Sequence, residues 1–158
     1  MTAAPAADAS FTAAFSVAQA PGEVFHAINN VRGWWSEDIE GGTGQVGDEF
    51  TYRYRDAHRC RIKVTELVPG ERVTWHVLDN YFDFTRDKSE LNDTEIHFEI
   101  TARDGQTEVR FTHVGLVPEY ECFDVCSSSW DFYLSTSLRA LIRTGHGLPN
   151  HKDQAPSA

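Results

Sequence analysis

The chain has 158 residues, of which 41% are hydrophobic and 24% charged, a composition typical of a globular domain and not of a disordered or fibrous chain. Aspartate and glutamate (24) outnumber lysine and arginine (14), and the resulting net charge of −10 argues against nucleic acid and anionic membrane surfaces as partners, because both require a basic footprint. No apolar run approaches the roughly 18 residues that cross a bilayer, so we expect no integral membrane association.

The N-terminal segment and the cysteines indicate the compartment. MTAAPAADAS lacks both the basic and the apolar region of a secretory signal. Three cysteines are too few for a disulfide framework, which favours a reducing compartment. We therefore expect a cytoplasmic protein with one domain over residues 11–149, flanked by disordered tails at residues 1–10 and 150–158.

The first elements are short. Residues 11–18 form a strand of moderate quality, and Pro21 then opens a short helix, since proline suits a first helical turn. A second short helical piece, residues 31–36, carries Trp34 and Trp35. Adjacent residues on a short helix cannot both face one core, so we expect one of the two tryptophans at a cavity mouth or on the surface.

From residue 49 the hydrophobic pattern has a period of two, which is typical of strands with one buried face. Turn signals at Pro69-Gly70 and Asp104-Gly105 separate some of these segments, and the polar stretch 79–93 predicts a loop. The pattern predicts an antiparallel meander of five strands with one solvated face. The inward-facing residues are Phe50, Tyr52, Tyr54, Cys60, Ile62, Val64, Val73, Trp75, Val77, Ile96, Phe98, Ile100, Val109, Phe111 and His113.

Residues 122–144 predict one long amphipathic helix, which ends at Gly145. Such a helix spans roughly 35 Å and cannot bury its apolar stripe alone. The expected fold class is therefore α+β: a curved antiparallel sheet of about six strands, in the order β-α-α-β5-α, wrapped around a long C-terminal helix. The stripe consists of Phe123, Cys126, Trp130, Leu134, Leu138, Leu141 and Ile142.

Several segments in this order resemble the START-like superfamily, also called SRPBCC or birch-pollen-allergen-like. They are PGEVFHAI, RGWW, GDEFTYRY, TELVPGERVTWHV, DKSELNDTEIHFEI, VRFTHVGLVPE and WDFYLSTSLRALIRTG. Within the superfamily, the chain is most similar to the family related to the activator of the heat-shock-protein-ninety ATPase. The resemblance covers residues 11–149, and it rests on the order and spacing of the segments because no single one is diagnostic.

The resemblance implies a helix-grip fold with a cavity that in many relatives holds a hydrophobic ligand. Family members bind lipids, hormones or polyketides, some catalyse cyclisation or aromatisation of such ligands, and the eukaryotic namesakes are co-chaperones. It therefore fixes the expected fold more firmly than the expected function.

An aromatic-lined cavity is the best candidate site, since ligand pockets are mostly apolar with a few orienting polar groups. The alternative interpretation is that the same aromatic residues simply fill the core of a small domain. The candidate ligand-binding residues are Trp34, Trp35, Tyr52, Tyr54, Trp75, Phe98, Phe111, His113, Trp130 and Tyr133.

His113 is also the candidate acid or base, because an unperturbed histidine titrates near neutral pH. The alternative is a core histidine bonded to a backbone group. Cys122 and Cys126 lie on one helix face but lack the further ligands of a zinc site, so we expect free thiols, no metal and no cofactor.

Three functions remain open from the sequence. The first is binding of a small hydrophobic or aromatic molecule, and the second is a cyclase or aromatase reaction in the same cavity. The third is interaction with a chaperone or another protein. A homodimer formed through a sheet edge or through the tryptophan pair is a further expectation, since unpaired edges and exposed apolar patches favour association.

Overall fold

A curved, antiparallel sheet frames the molecule in a computed structural model, which describes residues 10–54, 58–87 and 90–149. Within these ranges the sheet has seven strands in the order β1-β7-β6-β5-β4-β3-β2, and all neighbouring pairs are antiparallel. The strands are β1 (Phe11–Val17), β2 (Ile39–Gly41), β3 (Glu49–Tyr54), β4 (His58–Val68), β5 (Arg72–Phe82), β6 (Glu95–Arg103) and β7 (Gln106–Val114).

The helices pack on the inner face of this sheet. They are α1 (Pro21–Asn29), α2 (Val31–Trp34), α3 (Phe123–Asp131), a π-helical segment (Phe132–Leu138) and α4 (Arg139–Thr144). This architecture confirms the predicted α+β helix-grip fold. No helix of the described ranges has the length and apolarity needed to cross a membrane.

The sheet has one more strand than expected. The additional strand, Ile39–Gly41, pairs with Phe50–Tyr52 in β3. Its three residues are too few to show a period of two, so no local pattern predicts it. The Arg32 guanidinium, which donates to the carbonyl oxygens of Ile39 and Gly41, holds this short edge strand against α2.

The turns follow the sequence signals. Asp104 and Gly105 join β6 to β7 with φ of 52° and 80°, as a two-residue hairpin turn of type I′ requires. Gly145 ends the last helix in the left-handed conformation with φ of 86°. The hairpin turn and the end of the last helix therefore lie where the sequence predicted them.

The C-terminal helix differs from the single α-helix that its stripe predicts, because Phe132–Leu138 forms wider π turns. Ser137 in this segment is fully buried: its Oγ donates to the Trp34 carbonyl at 2.7 Å and accepts from the Leu148 amide at 2.7 Å. These partners lie 103 and 11 residues away, so the local periodicity does not reveal them.

Glu90 caps the N-terminus of the C-terminal helix. Its buried carboxylate accepts hydrogen bonds from the backbone amides of Glu121 at 3.0 Å and Cys122 at 3.2 Å. A carboxylate there is favoured because the first amides of a helix are unpaired and carry its positive dipole end. This cap connects the β5–β6 loop to the helix that the sheet surrounds.

Tails were expected at residues 1–10 and 150–158, and of these only Ser10 lies within the described residues. Ser10, assigned to the N-terminal tail, is buried instead, and its Oγ accepts a hydrogen bond from the Gly115 amide at 2.9 Å. This bond attaches Ser10 to the residue that follows β7.

Candidate functional site

A cavity of about 460 Å³ lies between the inner face of the sheet and α3. This volume falls within the ~300–1,000 Å³ of small-molecule sites. The sheet supplies Tyr52, Tyr54, His58, Cys60, Ile62, Val77, Asn80, Phe82, Ile96 and His113. The helical side supplies Val125, Cys126, Ser129, Trp130 and Tyr133, and the connecting segments supply Trp35, Phe84 and Leu91.

Stacked rings form one wall of the cavity. The indole of Trp35 lies 4.4 Å from the ring of Tyr52, nearly parallel to it, and 4.9 Å from the indole of Trp130. The imidazole of His58 lies 5.2 Å from the ring of Tyr52 in an edge-on arrangement. The wall therefore presents flat, polarisable faces, on which planar or apolar molecules pack well.

The structure divides the predicted ligand-binding residues into two groups. Those that line the cavity are Trp35, Tyr52, Tyr54, His113, Trp130 and Tyr133. Trp34, Trp75, Phe98 and Phe111 do not line it, and each is at most 1% exposed. These four fill the solid part of the core, as the alternative interpretation held, because they project from the middle of the sheet and from α2.

The core rings are joined to the cavity rings by direct contacts. Trp75 lies 5.0 Å from Phe98, which lies 5.2 Å from Phe111, and Phe111 lies 4.8 Å from Trp130. Trp75 also stacks on the cavity residue Trp35 at 6.1 Å, so a change in these core residues would reach a ligand through the positions of Trp35 and Trp130.

Both members of the Trp34-Trp35 pair are buried, so neither lies on the surface, and Trp35 alone of the two lines the cavity. Trp34 ends α2 and donates from Nε1 to the Ile28 carbonyl at 3.0 Å. Trp35 directly follows the helix, its amide still bonds the Val31 carbonyl at 2.8 Å, and its indole forms part of the cavity wall. The helical piece was predicted to run to residue 36, and in the structure it ends at Trp34.

His113 is buried, and both of its ring nitrogens are engaged. Nδ1 accepts a hydrogen bond from Trp130 Nε1 at 3.2 Å, so Nδ1 carries no hydrogen. Nε2 therefore carries it and donates to Thr94 Oγ1 at 2.8 Å, while that hydroxyl donates to the Leu91 carbonyl at 2.7 Å. Burial lowers the pKa of His113 to about 3, so the ring is neutral at neutral pH.

This bonding pattern weakens the case for His113 as a general base. Its single basic lone pair, on Nδ1, already accepts the Trp130 indole hydrogen, and proton uptake there would place two hydrogens face to face. The bonds also differ from the alternative expectation of a backbone partner, since both are made with side chains. The neutral ring of His113 therefore links strand β7 to the C-terminal helix by a hydrogen bond.

His58 and Asn80 form a second polar pair, which the sequence analysis did not identify. Asn80 Nδ2 donates to the Glu90 carbonyl at 2.8 Å, which turns its Oδ1 toward His58. His58 Nε2 therefore donates to Asn80 Oδ1 at 2.7 Å, and Nδ1 keeps its lone pair. Burial lowers the pKa of His58 to about 4 against the opposing effect of the Asn80 bond.

Two features of strands β4 and β5 explain why the sequence analysis did not identify His58 and Asn80. The period of two that contains Cys60 and Ile62 extends back to His58, so this signal was present in the sequence. Asn80 and Phe82 lie in the segment expected to be a loop, but β5 continues through it and pairs with β4. A register shift between Arg61 and Ile62 of β4 leaves an extra residue in β5, which turns the even-numbered positions inward.

The three cysteines are buried and unpaired. Cys60 and Cys126 line the cavity from the sheet and from α3, whereas Cys122 is not part of the lining. Burial raises the pKa of Cys60, and a hydrogen bond with Cys126 together with burial raises that of Cys122, so both are protonated, weakly reactive thiols. The described ranges contain no cluster of three or more His, Cys, Asp or Glu residues that would hold a metal ion.

The opening of the cavity to the surface is lined by apolar side chains. Phe84 and Val125 line it, yet they are 44% and 55% exposed. Large apolar residues that are exposed at the edge of a cavity are typical of a ligand entrance. The described lining therefore consists of an aromatic wall, a few neutral polar groups and an apolar rim.

Comparisons with known proteins place this geometry in a family. The model of the family described as "Activator of Hsp90 ATPase homolog 1-like protein" matches residues 20–143. A comparison with curated proteins finds no match.

Solved structures show the same fold. The solution structure of the Aha1 dimer from Colwellia psychrerythraea is similar with a TM-score of 0.70 and 26% identity, over 87% of this chain and 98% of that one. CalU16 from Micromonospora echinospora has a TM-score of 0.57 and 12% identity, over 93% of this chain and 77% of that one. DynU16, a protein in the dynemicin biosynthetic locus, has a TM-score of 0.65 and 16% identity, over 89% of this chain and 49% of that one.

Proposed function

Because the chain belongs to the Activator of Hsp90 ATPase homolog 1-like family, as its sequence motifs had indicated, we propose that it binds a small hydrophobic or aromatic molecule in the cavity between the sheet and the C-terminal helix. The observation that carries the proposal is the cavity of about 460 Å³ beside a filled aromatic core. Packed interiors contain few voids larger than a water molecule, so a space of this size with an apolar entrance is what a ligand site requires.

The arrangement of the lining supports binding more than it supports chemistry. The rings of Trp35, Tyr52 and Trp130 offer contact area, whereas His113 has no free basic nitrogen. The free Nδ1 of His58 is a weak base, because burial lowers the pKa of His58 to about 4. A cyclase or aromatase reaction needs a placed acid or base. We therefore propose a binding protein without turnover as the primary function.

Displacement of a neutral fluorescent probe tests this proposal. N-phenyl-1-naphthylamine should bind the purified protein with a rise in emission, and native mass spectrometry should detect any molecule that co-purifies. The variant Ser129→Phe places a ring in the cavity lining, and we expect it to weaken probe binding about tenfold or more.

Ser128→Phe is the matched control, because Ser128 is exposed on the same helix and does not line the cavity. It adds the same ring to the neighbouring position and should leave binding unchanged. Equal binding by wild type and Ser129→Phe would place the probe elsewhere and would count against the cavity as the site.

A protein-interaction role is the second candidate, and the family match favours it. In this alternative the chain associates with a chaperone through its surface, and a cavity variant such as Ser129→Phe has no effect on association. Lack of association with a heat-shock-protein-ninety preparation at micromolar concentration would exclude it. We also propose a cytoplasmic location, which the three unpaired cysteines support.

Self-association is a related proposal, supported by the dimeric state of the similar Colwellia structure. Light scattering after size exclusion would measure the mass against the 17.8 kDa of one chain. A single species of that mass over the micromolar range would exclude a stable homodimer.

A further inference from the structure

The cavity lining carries no formal charge. Among the residues that the structure describes there, none is aspartate, glutamate, lysine or arginine. The two histidines are neutral, because burial lowers the pKa of His58 to about 4 and of His113 to about 3. A charged ligand would lose its hydration on entry and find no counter-ion in this lining, so its binding is strongly disfavoured.

Most polar groups of the wall are already bonded within the protein. Both nitrogens of His113 are engaged, and Asn80 bonds His58 with its oxygen and the Glu90 carbonyl with its nitrogen. These groups hold the wall in place and offer little to a ligand. The ring nitrogens of the lining that these bonds leave open are therefore candidates for contact with a ligand.

Two ring nitrogens of the lining have no hydrogen-bond partner in the described part of the chain. They are His58 Nδ1, which is an acceptor, and Trp35 Nε1, which is a donor. The fully enclosed unpaired atoms of the described residues are Gln19 Oε1, Asn29 Oδ1 and Trp75 Nε1. Neither His58 Nδ1 nor Trp35 Nε1 is among them, so both retain accessible surface.

These two rings flank Tyr52. The indole of Trp35 stacks on one side of the tyrosine at 4.4 Å, and the imidazole of His58 contacts it edge-on at 5.2 Å. Donor and acceptor therefore lie along the same stretch of wall. A hydroxyl group is the simplest uncharged partner for such a pair, because it both donates and accepts.

On the basis of the proposed function, we infer that the cavity takes an uncharged, largely apolar molecule that carries a hydroxyl group, and that this hydroxyl donates a hydrogen bond to Nδ1 of His58. Trp35 Nε1 then donates to an oxygen of the same molecule. Carboxylates and ammonium compounds of the same size are rejected. The aromatic wall supplies contact area, and the His58 nitrogen selects among molecules of similar shape.

Three naphthalene derivatives separate these requirements at pH 7 by displacing N-phenyl-1-naphthylamine. 2-Naphthol is uncharged and has a hydroxyl donor, 2-methoxynaphthalene keeps the oxygen but lacks the donor, and 2-naphthoate is an anion. We expect 2-naphthol to bind about tenfold more tightly than 2-methoxynaphthalene and about a hundredfold more tightly than 2-naphthoate.

The variant His58→Phe tests the assigned atom, because it retains a ring beside Phe82 and removes both nitrogens. We expect it to lose the preference for 2-naphthol over 2-methoxynaphthalene and to keep its affinity for the latter. Should this variant fail to fold by circular dichroism, the wild-type series alone decides the matter.

The outcomes distinguish the two proposals. Displacement by 2-methoxynaphthalene or 2-naphthoate as effective as that by 2-naphthol overturns this inference and leaves ligand binding in the cavity intact. Absence of probe binding, with no displacement by any of the three compounds, overturns both.

Discussion

The indole nitrogen of Trp130 donates to Nδ1 of His113 over 3.2 Å, and this bond links the C-terminal helix to strand β7 inside the core. It determines the tautomer of the histidine, and through Nε2 it extends the connection to Thr94. A buried polar chain of this kind stabilises a single arrangement when every member has a partner. It also positions the ring that forms one side of the cavity wall.

Removal of the indole donor should destabilise the protein. Trp130→Phe keeps an aromatic ring but leaves Nδ1 of His113 buried without a partner, which costs about 1–3 kcal/mol beyond the lost ring area. Trp35→Phe is the matched control, since the Trp35 nitrogen bonds to no residue that the structure describes. Urea denaturation measures both free energies of unfolding, and equal losses would contradict the importance of this bond.

Stability should fall as the pH drops below 6.5. His58 and His113 have folded pKa values of about 4 and about 3, below the ordinary 6.5, so the unfolded chain binds more protons in this range. The free energy of unfolding then decreases by about 1.4 kcal/mol per pH unit for a fully buried histidine, and by less for the half-buried His58. The loss begins near pH 6.5 and is complete only below the folded pKa values.

The variant His113→Gln isolates this effect, because a glutamine amide can accept from Trp130 and donate to Thr94 but does not titrate. Between pH 6.5 and 4, its unfolding free energy should fall less steeply than that of the wild type, by about 1.4 kcal/mol per unit. Parallel curves would show that His113 does not contribute to the acid sensitivity.

Replacement of Ser137 should lower the stability of the protein more than the small size of the side chain suggests. Ser137→Ala removes the donor to the Trp34 carbonyl and the acceptor of the Leu148 amide, at an expected cost of about 1–3 kcal/mol. Ser135→Ala changes the same residue type in the same π segment, where the hydroxyl makes one long, exposed bond of 3.4 Å to Asp131. We expect the control to shift the melting temperature little, and an equal shift would argue against the role of Ser137.

Glu90 should stabilise the start of the C-terminal helix. Glu90→Gln replaces one carboxylate oxygen with a donor opposite a backbone amide, so we expect a loss of about 1–3 kcal/mol in unfolding free energy. Glu119→Gln, at an exposed position nearby, is the control and should be nearly neutral. Hydrogen exchange of the Cys122 amide should speed up in the Glu90 variant alone, and unchanged protection would contradict the cap.

The sequence alone determined the fold class and the family. Alternation at Phe50, Ile62, Trp75, Phe98 and Phe111 reports which face of each strand is buried, because successive side chains point to opposite sides. The apolar stripe with Gly145 behind it reports a helix and its end. These are local properties, and they fix the helix-grip order of elements.

Only the tertiary structure decided which buried residues meet a cavity and which fill the core. Trp34 and Trp35 are neighbours in the chain, yet one is packed in the core and the other lines the cavity. Asn80 faces inward because of a register shift between two strands, and the partners of Ser137 come from distant segments. Burial follows from local periodicity. The volume of a cavity depends instead on how side chains from distant segments pack together, and that packing exists only once the chain has folded.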